Sequence, residues 1–252
     1  MIKIFYSKTK EEAGVKAAQS FARLLNEKPD ATLGLATGSS PEIMYATLAE
    51  MCKSGEVSFK KAKSINLDEY IGLSADHDQS YAYFMNHHLF DKVDIDKSNT
   101  HLPNGLATDY DAECRRYDEL YDSLGGVDLQ ILGIGHNGHI AFNEPAEEFS
   151  KGTGAVTLTE STIKANARFF ESENDVPTMA FSMGIGQIMK ARKIILLANG
   201  EAKAAILEKA LFGEVTPKVP ASILQTAADV EVYADEQALS LIIEKHRSAV
   251  IR

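Results

Sequence analysis

Residues 127–145 read V-D-L-Q-I-L-G-I-G-H-N-G-H-I-A-F-N-E-P, and this stretch decides the fold class. The apolar run 127–132 has strand character and ends in a turn that contains three glycines. Five polar side chains follow within nine residues: His136, Asn137, His139, Asn143 and Glu144. Because open α/β sheets place their chemistry in loops at the carboxyl ends of strands, we predict that this loop carries a histidine–carboxylate acid/base pair.

Short apolar runs alternate with helical patterns on both sides of this stretch. Predicted strands cover residues 3–6, 31–36, 64–68, 127–132, 193–198 and 230–234. Predicted helices cover residues 10–26 after a Thr9 cap, 41–53, 80–90, 109–124, 201–212 and 235–247. The polar segment 153–170 has no clear assignment. Strands that alternate with helices predict an α/β fold with a mainly parallel sheet and helices on both faces.

No low-complexity linker or internal repeat interrupts this alternation, so a single domain over residues 1–252 is predicted. The segment 146–174 is rich in glycine and charge and is the candidate for a mobile flap. An irregular surface excursion is the alternative interpretation.

Composition restricts the classes of function. The net charge of −10 is the opposite of a nucleic-acid-binding surface. Two cysteines, Cys52 and Cys114, lack metal-site spacing and suit a reducing compartment. No signal-peptide core and no apolar run of membrane-spanning length is present. A cytoplasmic protein without nucleic-acid or membrane partners is expected.

A second loop is a candidate phosphate site. Residues 33–48, L-G-L-A-T-G-S-S-P-E-I-M-Y-A-T-L, predict a strand, a loop of small residues and a helix, with Ser40 as N-cap and Pro41 as first helical residue. Such a junction points backbone N–H groups at the loop, and Thr37, Ser39 and Ser40 add hydroxyl donors. An ordinary strand–helix loop with a good cap is the alternative.

Two basic residues are candidates to neutralise a bound phosphate. Lys203 falls in the first turn of a predicted helix, where a cation opposes the helix dipole. Arg168, in the segment N-A-R-F-F, is the second candidate. For either residue alone, a solvated surface charge is the competing interpretation.

The candidate general base is Asp68, which is predicted to end a strand. Glu69 follows it directly, and in extended chain the two side chains point to opposite faces. An aspartate at a buried strand end can abstract a substrate proton, although aspartate also commonly decorates strand-end turns.

The sequence disfavours two other kinds of site. A metal site is disfavoured because the polar residues concerned match no usual ligand spacing: Asp76, His77, Asp78, His87 and His88. The glycines of 133–138 match the G-x-G-x-x-G pattern of dinucleotide-binding folds, which requires a helix after the third glycine. Pro145 leaves little room for that helix.

Five segments in this order resemble the glucosamine-6-phosphate deaminase family: L-G-L-A-T-G-S-S-P, N-L-D-E-Y-I-G-L-S-A-D-H-D-Q-S-Y, G-I-G-H-N-G-H-I-A-F-N-E-P, N-A-R-F-F and V-P-A-S-I-L-Q. The resemblance runs from about residue 1 to 240 and is most specific in Asp-Glu-Tyr and Gly-His-Ile-x-Phe-Asn-Glu-Pro. It implies a modified Rossmann-like α/β fold and the conversion of D-glucosamine 6-phosphate and water to D-fructose 6-phosphate and ammonia. It implies no metal or organic cofactor.

The resemblance also implies roles for individual residues. Asp68 would be the general base, His139 the ring-opening histidine, and Glu144 its supporting carboxylate. Asn137 would belong to the same catalytic group. The implied phosphate-binding set is Thr37, Gly38, Ser39, Ser40, Arg168 and Lys203.

This sequence departs from the family pattern in two places. Many members carry Asp where this chain has Asn137, so Glu144 is expected to be the main electrostatic partner of His139. Gly154 and Val156 stand where allosteric members carry basic residues. Activation by N-acetylglucosamine 6-phosphate is therefore expected to be weak, and a monomer or small homo-oligomer is expected.

Two related functions remain as alternatives. A 6-phosphogluconolactonase shares the fold and the phosphate handling, but the Asp-Glu-Tyr and Phe-Asn-Glu-Pro segments favour the deaminase. A non-catalytic sugar-phosphate sensor would need an attached DNA-binding segment, and none is visible in so acidic a chain.

Overall fold

The computed structural model, which describes residues 1–172 and 175–251, is built on an eight-stranded sheet whose neighbouring strands all pair in parallel. Its strands are β1 (Ile2–Ser7), β2 (Thr32–Leu35), β3 (Lys63–Asn66), β5 (Thr100–His101), β6 (Leu129–Leu132), β9 (Lys193–Ala198), β10 (Val230–Asp235) and β11 (Val250–Ile251). They lie in the order β11-β1-β10-β9-β6-β2-β3-β5.

A small antiparallel sheet lies beside the central one. It consists of β4 (Asp68–Tyr70), β7 (Gly154–Thr157) and β8 (Met179–Ser182), in the order β4-β8-β7. A separate apolar cluster of Tyr70, Phe142, Leu158 and Ala180 packs there.

Helices surround the central sheet. They are α1 (Lys10–Glu27), α2 (Glu42–Lys53), α3 (Tyr81–Met85), α4 (Tyr110–Ser123), α5 (Glu160–Asn166), α6 (Ile185–Ile188), α7 (Ala204–Phe212) and α8 (Ser240–Lys245). A π-helical turn, Asn86–Phe90, extends α3. No helix of the described residues is long and apolar enough to cross a membrane.

The central strands are almost completely buried. Every residue of β2 and β6 is buried, as is every residue of β9 after its first, which is typical of strands in a parallel sheet that is covered on both faces. The predicted α/β class with a mainly parallel sheet is confirmed.

Helix α1 shows how local sequence produces this packing. Thr9 caps it by accepting a hydrogen bond from the Glu12 backbone N–H at 3.3 Å. Its small residues let it approach α2, because a Cβ added at Gly14 would lie 2.7 Å from Ile43 Cγ2. The predicted cap and helix are confirmed.

The predicted strand 64–68 is wrong at its carboxyl end. The chain leaves the central sheet after Asn66, and Asp68 begins β4, where it pairs with Ser182 of β8. The run is continuous in sequence, but the backbone passes from one sheet to the other at Leu67. The Leu67 N–H donates to the Leu35 carbonyl, and the Leu67 carbonyl accepts from the Met183 N–H.

Two predicted helices begin later than expected. The segment 201–212 opens with a 3₁₀ turn, Glu201–Lys203, before α7. The segment 235–247 contains only α8, because the Asp235 carboxylate accepts hydrogen bonds from the N–H groups of Gly200 and Ala238 and so stabilises a turn instead.

The unassigned segment 153–170 contains β7, α5 and a 3₁₀ turn, Ala167–Phe169. The predicted flap 146–174 includes this structure, and its last two residues lie outside the described part of the chain. Its mobility remains a prediction, as does the single domain. Three short strands, β5, β8 and β11, and one short α-helix, α6, were not predicted.

Candidate active site

A cavity of about 610 Å³ opens at the carboxyl ends of the parallel strands. Residues that follow four adjacent strands line it: Ala36 after β2, Leu67 after β3, Gly133 after β6 and Asn199 after β9. Strands β9, β10, β1 and β11 lie on one side of the β2–β6 pair, and β3 and β5 lie on the other. The cavity therefore lies at a topological switch point, where open α/β sheets bind their ligands.

The structure brings the predicted site residues together around this cavity. Its lining includes Thr37, Gly38, Ser39, Ser40, Asp68, Asn137, His139, Arg168 and Lys203. Glu144 lies beside His139 and contacts it directly. Two loops, the start of strand β4 and two 3₁₀ turns, which are far apart in sequence, thus form one site, with geometry consistent with the predicted roles.

The loop between β2 and α2 differs from its prediction at one residue. Pro41, not Ser40, is in the N-cap position, and α2 has no side-chain cap. Gly38 adopts a φ of +95°, which favours glycine, and turns the loop before the helix. The hydroxyl of Ser40 is therefore not used as a cap and remains on the cavity lining, near the positive end of α2.

Three nitrogen-bearing side chains meet beside this loop. Burial and the nearby charge of Arg168 lower the pKa of Lys203 to about 8. The charge of Lys203, together with burial, lowers the pKa of His136. A bound anion favours the charged form of Lys203 and offsets both its burial and its repulsion from Arg168, so this end of the cavity is suited to a phosphate.

Asp68 provides a carboxyl group that is only 6% exposed. Burial, reinforced by the neighbouring Glu69, raises the pKa of Asp68 to about 8. A carboxylate in this environment is a stronger base than one in water.

Glu69 points away from the cavity, as the alternation of a strand requires. Its carboxylate accepts hydrogen bonds from the backbone N–H groups of Tyr70, Tyr81 and Ala82 at 2.8–2.9 Å. Glu69 thus ties β4 to the start of α3 and fixes the strand that carries Asp68. The prediction that the two acidic side chains diverge is confirmed.

The loop after β6 holds an imidazole, an amide and a carboxylate in contact. His139 Nδ1 lies 3.4 Å from Glu144 Oε2, an ion-pair distance at which Nδ1 makes no well-aligned hydrogen bond. Asn137 Nδ2 donates to the same oxygen, and Asn137 Oδ1 accepts from the His139 backbone N–H at 3.2 Å. Asn137 therefore braces the pair without contributing charge.

Glu144 is ionised in this setting. Burial alone would raise its pKa, but the interaction with His139 and the hydrogen bonds from Thr162 and Asn137 outweigh burial and lower the pKa of Glu144 to about 2. The prediction that Glu144 is the main partner of His139 is consistent with this geometry.

The glycines of this loop have separate roles. A Cβ at Gly135 would lie 2.3 Å from His139 Nε2, so only glycine leaves room for the imidazole. Gly138 adopts a φ of +88°. No helix follows it: residues 139–145 form an isolated bridge between Ile140 and Asn143. This loop lacks the helix that a dinucleotide site requires.

Sequence reasoning missed the partners of Glu144 that lie on α5. Thr162 donates to Glu144 Oε1 at 2.5 Å, and Thr159, the N-cap of α5, lies 3.3 Å from the same oxygen. A capping threonine three residues before another threonine was the only signal available.

The acidic and histidine residues around 76–88 are mostly solvated, and the described residues contain no group of three or more His, Cys, Asp or Glu placed to hold a metal.

Comparisons with known proteins identify the family of this chain. A family model described as glucosamine-6-phosphate isomerases/6-phosphogluconolactonase matches residues 7–233. The glucosamine-6-phosphate deaminase of Thermoanaerobacter pseudethanolicus is 52% identical over 241 residues, which are 96% of this chain and 95% of the relative. That of a Geobacillus species is 52% identical over 246 residues, 98% of each chain.

A solved structure described as a monomeric glucosamine-6-phosphate deaminase superposes with a TM-score of 0.93 at 46% identity, covering 95% of this chain and 99% of the neighbour. The chain belongs to the glucosamine-6-phosphate isomerase/6-phosphogluconolactonase family. Within that family, the relatives that it matches over nearly their full length carry the name glucosamine-6-phosphate deaminase. The family predicted from the sequence is confirmed.

Proposed function

We propose that this protein is an enzyme of amino-sugar metabolism that converts D-glucosamine 6-phosphate and water to D-fructose 6-phosphate and ammonia. One observation carries the proposal: the same cavity contains a cationic, hydroxyl-lined end, the buried carboxyl of Asp68 and the His139–Glu144 pair. An aldose–ketose isomerisation of a sugar phosphate needs an anion site, a base and a proton shuttle.

The phosphate of the substrate binds among the loop residues Thr37, Gly38, Ser39 and Ser40, with Arg168 and Lys203 as its cations. Backbone N–H groups at the start of α2 and the two cationic side chains neutralise its charge. Binding at this end places the sugar chain along the rest of the cavity.

His139 opens the pyranose as a proton carrier: its imidazole accepts the proton of the O1 hydroxyl and delivers a proton to the ring oxygen, and the bond between C1 and the ring oxygen breaks. Glu144 stabilises the charged imidazole, and Asn137 fixes the carboxylate. The Gly135 backbone leaves the ring nitrogen accessible from the cavity. The product of this step is the open-chain aldehyde.

Asp68 then removes the proton from C2, and an enolamine forms. Reprotonation at C1 gives an iminium at C2, to which water adds, and ammonia leaves as the carbonyl of fructose 6-phosphate forms. Each acid/base step of this kind contributes about 10²–10⁴-fold to the rate.

We also propose that the protein is a monomer and that it acts in the cytoplasm. The 46%-identical structural neighbour is described as monomeric. Cys52 and Cys114 are unpaired thiols, which suits a reducing compartment.

The test is to incubate purified protein with glucosamine 6-phosphate and to measure ammonia and fructose 6-phosphate in parallel, with chelator present and no nucleotide. Equal amounts of both products are expected. Hydrolysis of 6-phosphogluconolactone without ammonia release would instead assign the lactonase activity.

A further inference from the structure

The two oxygens of Glu144 are held by two different parts of the chain. Oε2 faces the loop after β6, where it contacts His139 and accepts a hydrogen bond from Asn137. Oε1 faces α5, where Thr162 donates to it at 2.5 Å. The carboxylate therefore bridges the catalytic loop and the helix.

Thr162 is the principal anchor on the helix side. It is 6% exposed, and its hydroxyl lies closer to Oε1 than that of Thr159, which is 3.3 Å away. Thr159 also caps α5 by accepting from the Thr162 backbone N–H, and it lies 3.1 Å from the Thr162 hydroxyl. The Thr159 hydroxyl, which also lies 2.9 Å from the Ser161 hydroxyl, has one proton to share among these neighbours, whereas Thr162 donates its proton to Glu144.

The segment that carries Thr162 also carries the candidate phosphate residue. Arg168 follows α5 within a 3₁₀ turn and lines the cavity. Asn166 Nδ2 donates to the Tyr70 hydroxyl at 2.8 Å, which fixes the end of α5 against β4. A single segment thus supplies both a contact for the phosphate and a contact for Glu144.

We infer that Thr162 is a positioning residue that orients Glu144 toward His139 for the ring-opening step. The inference rests on the proposed function. The hydrogen bond from Thr162 restricts the Glu144 carboxylate on its Oε1 side. Without it, only the hydrogen bond from Asn137 and the longer contact with Thr159 hold Glu144, so the carboxylate turns from the imidazole more readily. The segment with Arg168 then completes the acid/base pair as well as the phosphate site.

The test compares Thr162→Val, which keeps the shape and removes the hydroxyl, with Thr162→Ser, which keeps the hydroxyl. Thr157→Val, an exposed position in the neighbouring strand β7, is the matched control. For Thr162→Val, kcat should fall about 10-fold to 100-fold with KM nearly unchanged. Thr162→Ser and Thr157→Val should retain wild-type kcat.

A purely structural role predicts a different result: loss of the hydroxyl would loosen the segment that carries Arg168 and would chiefly raise KM. A further readout uses Glu144→Gln, in which Thr162→Val should cause little additional loss, because the two changes remove one interaction. Full kcat in Thr162→Val, or equal losses in both backgrounds, would overturn the inference. Absence of ammonia release by the wild-type protein would instead overturn the proposed function.

Discussion

Replacing Asp68 with asparagine should remove turnover and stabilise the fold at the same time. The side chain is buried in a site that disfavours its ionised form, and its pKa is raised to about 8 by burial and by Glu69. Asparagine has nearly the same shape and carries no charge at any pH. The variant therefore separates the free-energy cost of a buried ionisable carboxyl group from the contribution of side-chain packing.

The magnitude follows from the difference between the ordinary aspartate pKa of 3.8 and the pKa of about 8 that Asp68 has in the folded protein. Because the folded state binds this proton more tightly, the group contributes stability below pH 4 that is lost as pH rises through about 8. At pH 7 the loss relative to a neutral side chain is on the order of 4 kcal/mol. For a chain of this size that corresponds to about 10 °C in melting temperature.

The assay is thermal or urea unfolding of wild type and Asp68→Asn between pH 4 and pH 8, with ammonia release measured on the same samples. The stability advantage of the variant should grow with pH while its turnover is reduced about 10²–10⁴-fold. Asp76→Asn, at an exposed position, should retain turnover. A stability difference that stays constant across this pH range would refute the assigned environment, and substantial turnover in Asp68→Asn would refute its role as the base.

The remaining predictions concern the histidine, the phosphate end and regulation. Gly135→Ala should lower kcat at least about 10-fold, since its methyl group would overlap the His139 ring, whereas Gly154→Ala has space and should not; equal kcat in steady-state assays would count against this geometry. Lys203→Ala should raise KM with a smaller effect on kcat, whereas Lys209→Ala, at an exposed position, should leave KM unchanged. The affinity of the wild-type protein for a sugar-phosphate competitor, measured by calorimetry, should weaken as the pH rises above about 8, because Lys203, whose pKa is about 8, then loses its proton. N-acetylglucosamine 6-phosphate should change the apparent substrate affinity little, because Gly154 offers no cation, and a several-fold shift in kinetic titrations would contradict that.

The regular elements could be predicted from local patterns, because helix caps and buried apolar strands are properties of a few neighbouring residues. Thr9 illustrates this: its cap follows from its own side chain and the next turn. The change of sheet at Leu67 could not be predicted in this way. It depends on a pairing with β8, whose residues lie more than a hundred positions further along the chain.

The active site shows the same division between what local sequence predicts and what depends on distant parts of the chain. The sequence by itself determined the fold class and the family, and it predicts that Asp68, His139 and Glu144 carry the chemistry, because their segments are specific in residue types and order. Only the tertiary structure decided their environments: the burial that raises the pKa of Asp68, the repulsion between Arg168 and Lys203, and the hydroxyl of Thr162 on Glu144. The physical reason is that desolvation and hydrogen bonding depend on what packs around a group, and these neighbours come from distant parts of the chain.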